Sequence, residues 1–289
     1  MIKGVTRERI RMPQVRSVTT LMYHSIRDER GRMDPGADDT YTVSGDQFAE
    51  HLERIGDARL PVSTISDLAG IDPAPAGRAG GMNAAGPGPL SGNAVVLTFD
   101  DGTASHLDSV LHMLWERNMP GEFFVYPVNV GRAGFLSWSE LRGMASAGMS
   151  IQSHGYSPRY LNDLDDTAIV NELLRSKRVI EDRIGQAVTV FAAAGGRINP
   201  FIAALARRVG YKAVCGSRPG RWQRHSAKPV IPRIPVRAST TADEIGDWIS
   251  NRTLALTAQA GRYRMLQAAR WALGNDVYDH LRRRYLGGH

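Results

Sequence analysis

The chain predicts an α/β fold with mainly parallel strands, a sheet or a barrel, and three observations support it. First, segments of strand character alternate with segments of helical periodicity along most of the 289 residues, the pattern of repeated βαβ units. Second, the strand candidates are short apolar runs rich in β-branched and aromatic residues, with Val95-Val96-Leu97-Thr98-Phe99 the clearest. Third, three of these runs stop at polar residues: His24, Asp100-Asp101 and His154. In a parallel fold such ends converge on one face, where α/β folds build their sites.

Taken in order, Ser17–Tyr23 reads as the first strand, ending at His24, and residues 27–43 as an irregular loop. Ser44 and Gln47 form a capping-box pair ahead of Phe48, Leu52 and Ile55 at helical spacing. Leu60–Ile65 reads as a short strand, with Ser66 capping a brief helical turn. Residues 70–93 are dominated by Gly, Ala and Pro and predict a flexible insertion within one fold. After the 95–99 strand, Leu107, Val110, Leu111 and Leu114 mark an amphipathic helix, with His106 and His112 expected at its surface. Phe123–Tyr126 is the next strand, then a helix opened by the Ser137/Glu140 capping box, then strand Met149–Ser153 ending at His154. Ile169, Leu173, Ile180 and Ile184 share one face of a long helix stopped by Gly185. Val188–Phe191 and Tyr211–Cys215 are strands on either side of a helix closed by Gly210. Ile231–Val236 is a proline-interrupted strand expected at an edge. From residue 241 to 289 the chain forms a helical extension with Trp248, Trp271 and Tyr285 as packing anchors.

With 42% hydrophobic and 22% charged residues, the chain can bury a sizeable core, and it reads as a single domain over 1–289. The net charge of +7 suits an acidic partner without specifying one. No nucleic-acid motif accompanies it, so nucleic acid is not expected, and the run Arg282-Arg283-Arg284 reads as a solvated tail. The single cysteine, Cys215, excludes an internal disulfide and a cysteine zinc cluster and reads as a small buried hydrophobe. Without an apolar stretch of signal-peptide or bilayer length, the expected location is the cytoplasm.

Two adjacent carboxylates at a strand end are poor core material. One could bind a metal while the other acts as a base, although Asp-Gly alone would also satisfy a capped turn. His24 and His154 at neighbouring strand ends favour a site.

Thr98-Phe99-Asp100-Asp101-Gly102, followed by Ser153-His154-Gly155, resembles the polysaccharide deacetylase family, also called NodB-homology or carbohydrate esterase family 4. Leu21-Met22-Tyr23-His24-Ser25-Ile26, Leu136-Ser137-Trp138 and Pro232-Arg233-Ile234-Pro235-Val236 extend the likeness. Placement of the histidine strand first resembles the permuted arrangement of biofilm poly-N-acetylglucosamine deacetylases. The resemblance implies a distorted (β/α) barrel of the NodB-homology type that removes acetyl groups from N-acetylated glycans or amino-sugar precursors. It implies one divalent metal, usually zinc, with cobalt or nickel as alternatives. In those terms Asp100 is the general base, His24 the general acid, and Asp101 and His154 metal ligands, with Arg197 and Trp138 as candidate substrate contacts.

The likeness breaks in two places. The family's second motif supplies another histidine four or five residues after the first, where this chain has Pro158 and Arg159. Two ligands remain where catalytic zinc usually has three, with His106 and Tyr156 as candidate replacements. The third motif reads Ala193-Ala194-Gly195-Gly196-Arg197, lacking the aromatic and proline of the pattern, which enlarges the pocket floor. Arg197 there would orient Asp100, bind a substrate anion or form a surface salt bridge. An impaired deacetylase serving as a glycan- or partner-binding module is the alternative reading.

Overall fold

The computed structural model describes residues 15–28, 30–69, 92–223, 226, 230–250 and 253–273. Its strands are β1 (Ser17–Tyr23), β2 (Ser25–Ile26), β3 (Thr42–Val43), β4 (Val62–Ser63), β5 (Asn93–Phe99), β6 (Glu122–Val125), β7 (Ser150–Ser153), β8 (Val190–Ala192), β9 (Ala213–Cys215), β10 (Arg221–Gln223) and β11 (Ile234–Pro235). The helices are α1 (Gly45–Asp57), α2 (Ile65–Leu68), α3 (His112–Glu116), α4 (Trp138–Ser146), α5 (Asp166–Ile184), α6 (Pro200–Val209), α7 (Ala242–Ile249) and α8 (Thr253–Leu273).

The main sheet runs β10-β1-β5-β6-β7-β8-β9, with β4 on β5 and β11 on β1. Every pairing is parallel except β1 with β10. The expected edge strand 231–236 instead draws the two ends of the sheet together. Ile231 N donates to Val214 O at 2.8 Å and Gly216 N to Ile231 O at 3.0 Å, while Val236 N donates to Met22 O at 2.9 Å. Its prolines, Pro232 and Pro235, are tolerated because these bonds draw on the amides of Ile231 and Val236.

Side chains alternate strictly across this curled sheet. Val18, Ala94, Val96, Phe124, Val190, Ala192 and Cys215 form one buried cluster inside the curl. The alternate residues Leu21, Tyr23, Leu97, Phe99, Phe123, Ile151, Phe191 and Val214 pack outward with helix residues Phe48, Leu52, Leu173 and Ile202. A one-residue slip of any strand would exchange the two sets. Each fully buried large side chain contributes roughly 1.5–3 kcal/mol, so the register is firmly held.

Several local expectations need correction. The cap of α2 is Thr64, whose side chain accepts from Asp67 N, while the Ser66 hydroxyl is turned to Glu122. Ser44 accepts from Gln47 N as a cap, but the Gln47 amide reaches the Ala238 and Thr240 carbonyls, so the box is only half made. The Ser137/Glu140 box is complete. The stripe through Leu107 and Leu114 begins as a π-helical turn over His106–Leu111 before α3. His112 is exposed as expected, but His106 is fully buried between the Phe99 and Phe123 rings. The wider turn brings His106 onto the buried face with Val110 and Leu114, where the stripe of 107, 110, 111 and 114 on a 3.6-residue template leaves it at the edge.

Residues 70–91 of the Gly/Ala/Pro insertion lie outside the described residues, as do Tyr285 and Arg282-Arg283-Arg284. Trp248 is a buried anchor. No helix among the described residues is long and apolar enough to cross a membrane.

Candidate active site

The alternation that sorts the core also builds the site. Extending the inward set one residue past each strand gives His24 after β1, Asp100 after β5, Tyr126 after β6 and His154 after β7. All four line one cleft at the carboxyl ends of the parallel strands, together with Asp101, Ala194 and Arg197. Its volume is about 280 Å³.

Asp100 is 2% exposed, and its carboxylate is gripped by Arg233, which is 0% exposed. Nη1 and Nη2 of Arg233 donate to Oδ1 at 2.6 Å and Oδ2 at 2.8 Å, a two-pronged fit of guanidinium to carboxylate. Arg233 Nε donates to Gly216 O at 2.9 Å, and Nη1 also reaches Thr98 Oγ1 at 3.3 Å. Burial pushes the Asp100 pKa up, but the charge and hydrogen bonds of Arg233, with His154 and His24, outweigh it and hold Asp100 at about 2.

Arg233 was not among the expected site residues; the orienting role had been one option for Arg197. Arg197 lines the cleft, its guanidinium 3.4 Å over the Tyr160 ring, and is 8% exposed. A signal for Arg233 did exist: a lone arginine in a proline-bounded apolar strand must find a partner if buried.

Asp101 lies outside the regular strand at φ 78°, a left-handed conformation uncommon for a residue with a side chain. Gly102 follows at φ 72°, where an added Cβ would lie 2.9 Å from Val125 Cγ1. This turn aims the Asp101 side chain into the cleft, where it is 37% exposed. Burial raises its pKa, with the neighbouring Asp100 charge adding and His24 opposing.

His154 Nδ1 is 2.8 Å from the Ala192 carbonyl. A carbonyl only accepts, so Nδ1 carries the proton. Nε2, 3.6 Å from both Asp100 and Asp101, is then left with its lone pair toward the cleft. Burial lowers the His154 pKa and favours this neutral form, although Asp100 opposes the shift.

Asp101 and His154 thus have the chemistry of metal ligands, and the His154 tautomer supplies the observation that fits. No cluster of three His, Cys, Asp or Glu side chains suited to a metal occurs among the described residues. Pro158 does line the cleft, so the substituted position faces the site. The Ser157 amide and hydroxyl anchor its loop on Glu172 at 2.8 and 2.9 Å.

Neither His106 nor Tyr156 lines the cleft. His106 Nε2 is engaged at 2.6 Å with the His24 backbone carbonyl, behind the site. Tyr156 lies under the Arg175 guanidinium and does not line the cleft. Trp138 also lies away from the cleft lining and packs, partly buried, on the outer core. The His24 ring stands 4.9 Å from the Tyr41 ring, and its Nδ1 makes no hydrogen bond among the described residues. Tyr126, 4.6 Å from the His154 ring, is a cleft residue that the sequence reading left within its strand. Its even-numbered parity with Phe124 was the available signal.

A curled, mostly parallel sheet with carboxylates and imidazoles at its carboxyl rim defines a deacetylase-type α/β fold. Residues 88–214 match the polysaccharide deacetylase family model. It is 25% identical over 157 residues to YxkH of Bacillus subtilis, assigned to the polysaccharide deacetylases, with the match covering 54% of this chain and 56% of that protein. The match therefore spans only just over half the length of this relative. The fold is similar to the Streptococcus pyogenes deacetylase PplD, solved with acetate, at a TM-score of 0.67, 19% identity and coverage of 81% and 98% of the two chains. It is also similar to IcaB from Ammonifex degensii, at a TM-score of 0.61, 23% identity and coverage of 86% and 99%.

Proposed function

We propose that this chain is a carbohydrate N-deacetylase that hydrolyses the acetamide of N-acetylated amino sugars. The observation that carries this reading is the convergence of His24, Asp100, Asp101 and His154 on one cleft, with Asp100 held by buried Arg233. Asp100 takes a proton from the attacking water as the water oxygen bonds to the acetyl carbon. His24 gives a proton to the sugar nitrogen as the C–N bond breaks, releasing acetate and the free amine. Asp101 and His154 would hold a divalent ion, zinc or else cobalt or nickel. Such an ion would acidify water toward neutral pH and so ease proton transfer to the ionised Asp100. Tyr126 and Pro158 shape the cleft around these groups.

The test is acetate release from short N-acetylglucosamine oligomers, with Asp100→Asn abolishing it while the thermal melt stays cooperative. Undiminished release by Asp100→Asn would remove Asp100 from the mechanism. Pro158 at the ligand position favours a second reading, a glycan-binding module with impaired turnover. On that reading sugar binding persists in wild-type protein that releases no acetate at any metal supply.

A further inference from the structure

We infer that α8 determines specificity, forming a wall that limits the cleft to a chain end or a short amino-sugar unit and keeps out the interior of a polymer. The inference rests on the deacetylase reading above and deepens it. Gln259, Tyr263 and Leu266, spaced four and three residues apart on one face of α8, line the same cleft as Asp100 and His24. The helix is tied to that rim: Arg237 Nη1 donates to Gln259 Oε1 at 3.3 Å, and the same guanidinium lies 5.9 Å from the Tyr41 ring. Tyr41 in turn stands 4.9 Å from His24, so the tether runs from α8 to the expected proton donor. Near its start, Leu256 of α8 packs on the outer core.

Tyr160, carrying the Arg197 guanidinium, also lines the cleft. A polymer interior needs a trough open at both ends of the reacting sugar. The volume of about 280 Å³ lies at the lower edge of ligand pockets, commonly about 300–1,000 Å³, with room for a single sugar ring and its acetamido group. Tyrosine rings suit the C–H faces of such a ring, and the Gln259 amide suits its hydroxyls.

The experiment uses the full chain and compares N-acetylglucosamine disaccharide with a long, soluble, N-acetylated polymer, by acetate release and by calorimetric binding to the Asp100→Asn protein. Wild type should favour the disaccharide in kcat/KM, and Tyr263→Ala/Leu266→Ala should shift the ratio toward polymer by about tenfold, the scale of a pocket contact. Leu266→Trp, which narrows the cleft, should shift it the other way. Polymer used as well as disaccharide by wild type, or a ratio unmoved by all these variants, overturns the inference. Without turnover of either sugar the deacetylase reading fails, and the binding ratio still decides the role of α8. Binding of neither sugar overturns the role as well.

Discussion

Replacing Arg233 by Met removes the guanidinium but keeps most of its length, so the change isolates the charge. The ionised Asp100 carboxylate then remains 2% exposed with both oxygens stripped of their donors. Lowering the Asp100 pKa from 3.8 to about 2 corresponds to about 2.5 kcal/mol of preference for the ionised form in the folded state. Removing one partner of a buried ion pair costs about 3–5 kcal/mol, because an uncompensated charge is left behind. Urea unfolding at pH 7 should therefore show Arg233→Met losing about 3–5 kcal/mol.

The double variant Arg233→Met/Asp100→Asn should recover much of that loss, since a neutral amide needs no counter-charge. The pH dependence has a definite sign. In the wild type the contribution of Asp100 is complete above its ordinary pKa and lost as pH falls through about 2. Without Arg233, burial holds the Asp100 pKa above its ordinary value. The variant then gains relative stability as acid protonates it, and the gap to wild type narrows toward pH 4. A loss below about 1 kcal/mol, or a strictly additive double variant, would show that the pair is not coupled as its geometry requires.

Pro158→His should add a metal-binding imidazole beside Asp101 and His154 if these hold an ion as proposed. Losing an outer-shell partner already costs metal sites about 10–100-fold, so a direct ligand should tighten zinc binding by at least that factor in chelator competition. Unchanged affinity would mean that a side chain at 158 does not reach the ion. Glu122, fully buried at the far end of the curl, accepts from Ile65 N at 3.0 Å and from the Ser66 and Ser150 hydroxyls. Burial nevertheless raises its pKa from 4.5 to about 7. The folded state therefore holds a proton that the unfolded state has released, and stability should fall by up to about 3 kcal/mol as pH rises from 4.5 to 7. Glu122→Gln should flatten that slope in urea midpoints, and an identical slope in both proteins would remove Glu122 as its source.

The parts legible in the sequence are those that depend on local periodicity. A period of two within each apolar run, with turn residues after it, was enough to place His24, Asp100 and His154 at converging strand ends. Arg233 was illegible as a partner of Asp100 because 133 residues separate them, and no local pattern records a contact made by closing a sheet. Gln259, Tyr263 and Leu266 of α8 carry no local signal of a cleft role, because the tether from Arg237 to Gln259 exists only in three dimensions. Burial of His106 was hidden by the π-helical turn, which shifts the phase of an ordinary stripe.

The segment 231–236 also links assembly to competence. Its backbone joins β9 to β1, and its arginine neutralises the carboxylate at the end of β5. A chain still emerging during synthesis can form the β5 strand long before residue 233 exists, so Asp100 must wait in water or remain protonated. Docking of this late segment completes the curl and the charge pairing of Asp100 together. A protein stalled before that point has neither, so catalytic competence would report a finished fold.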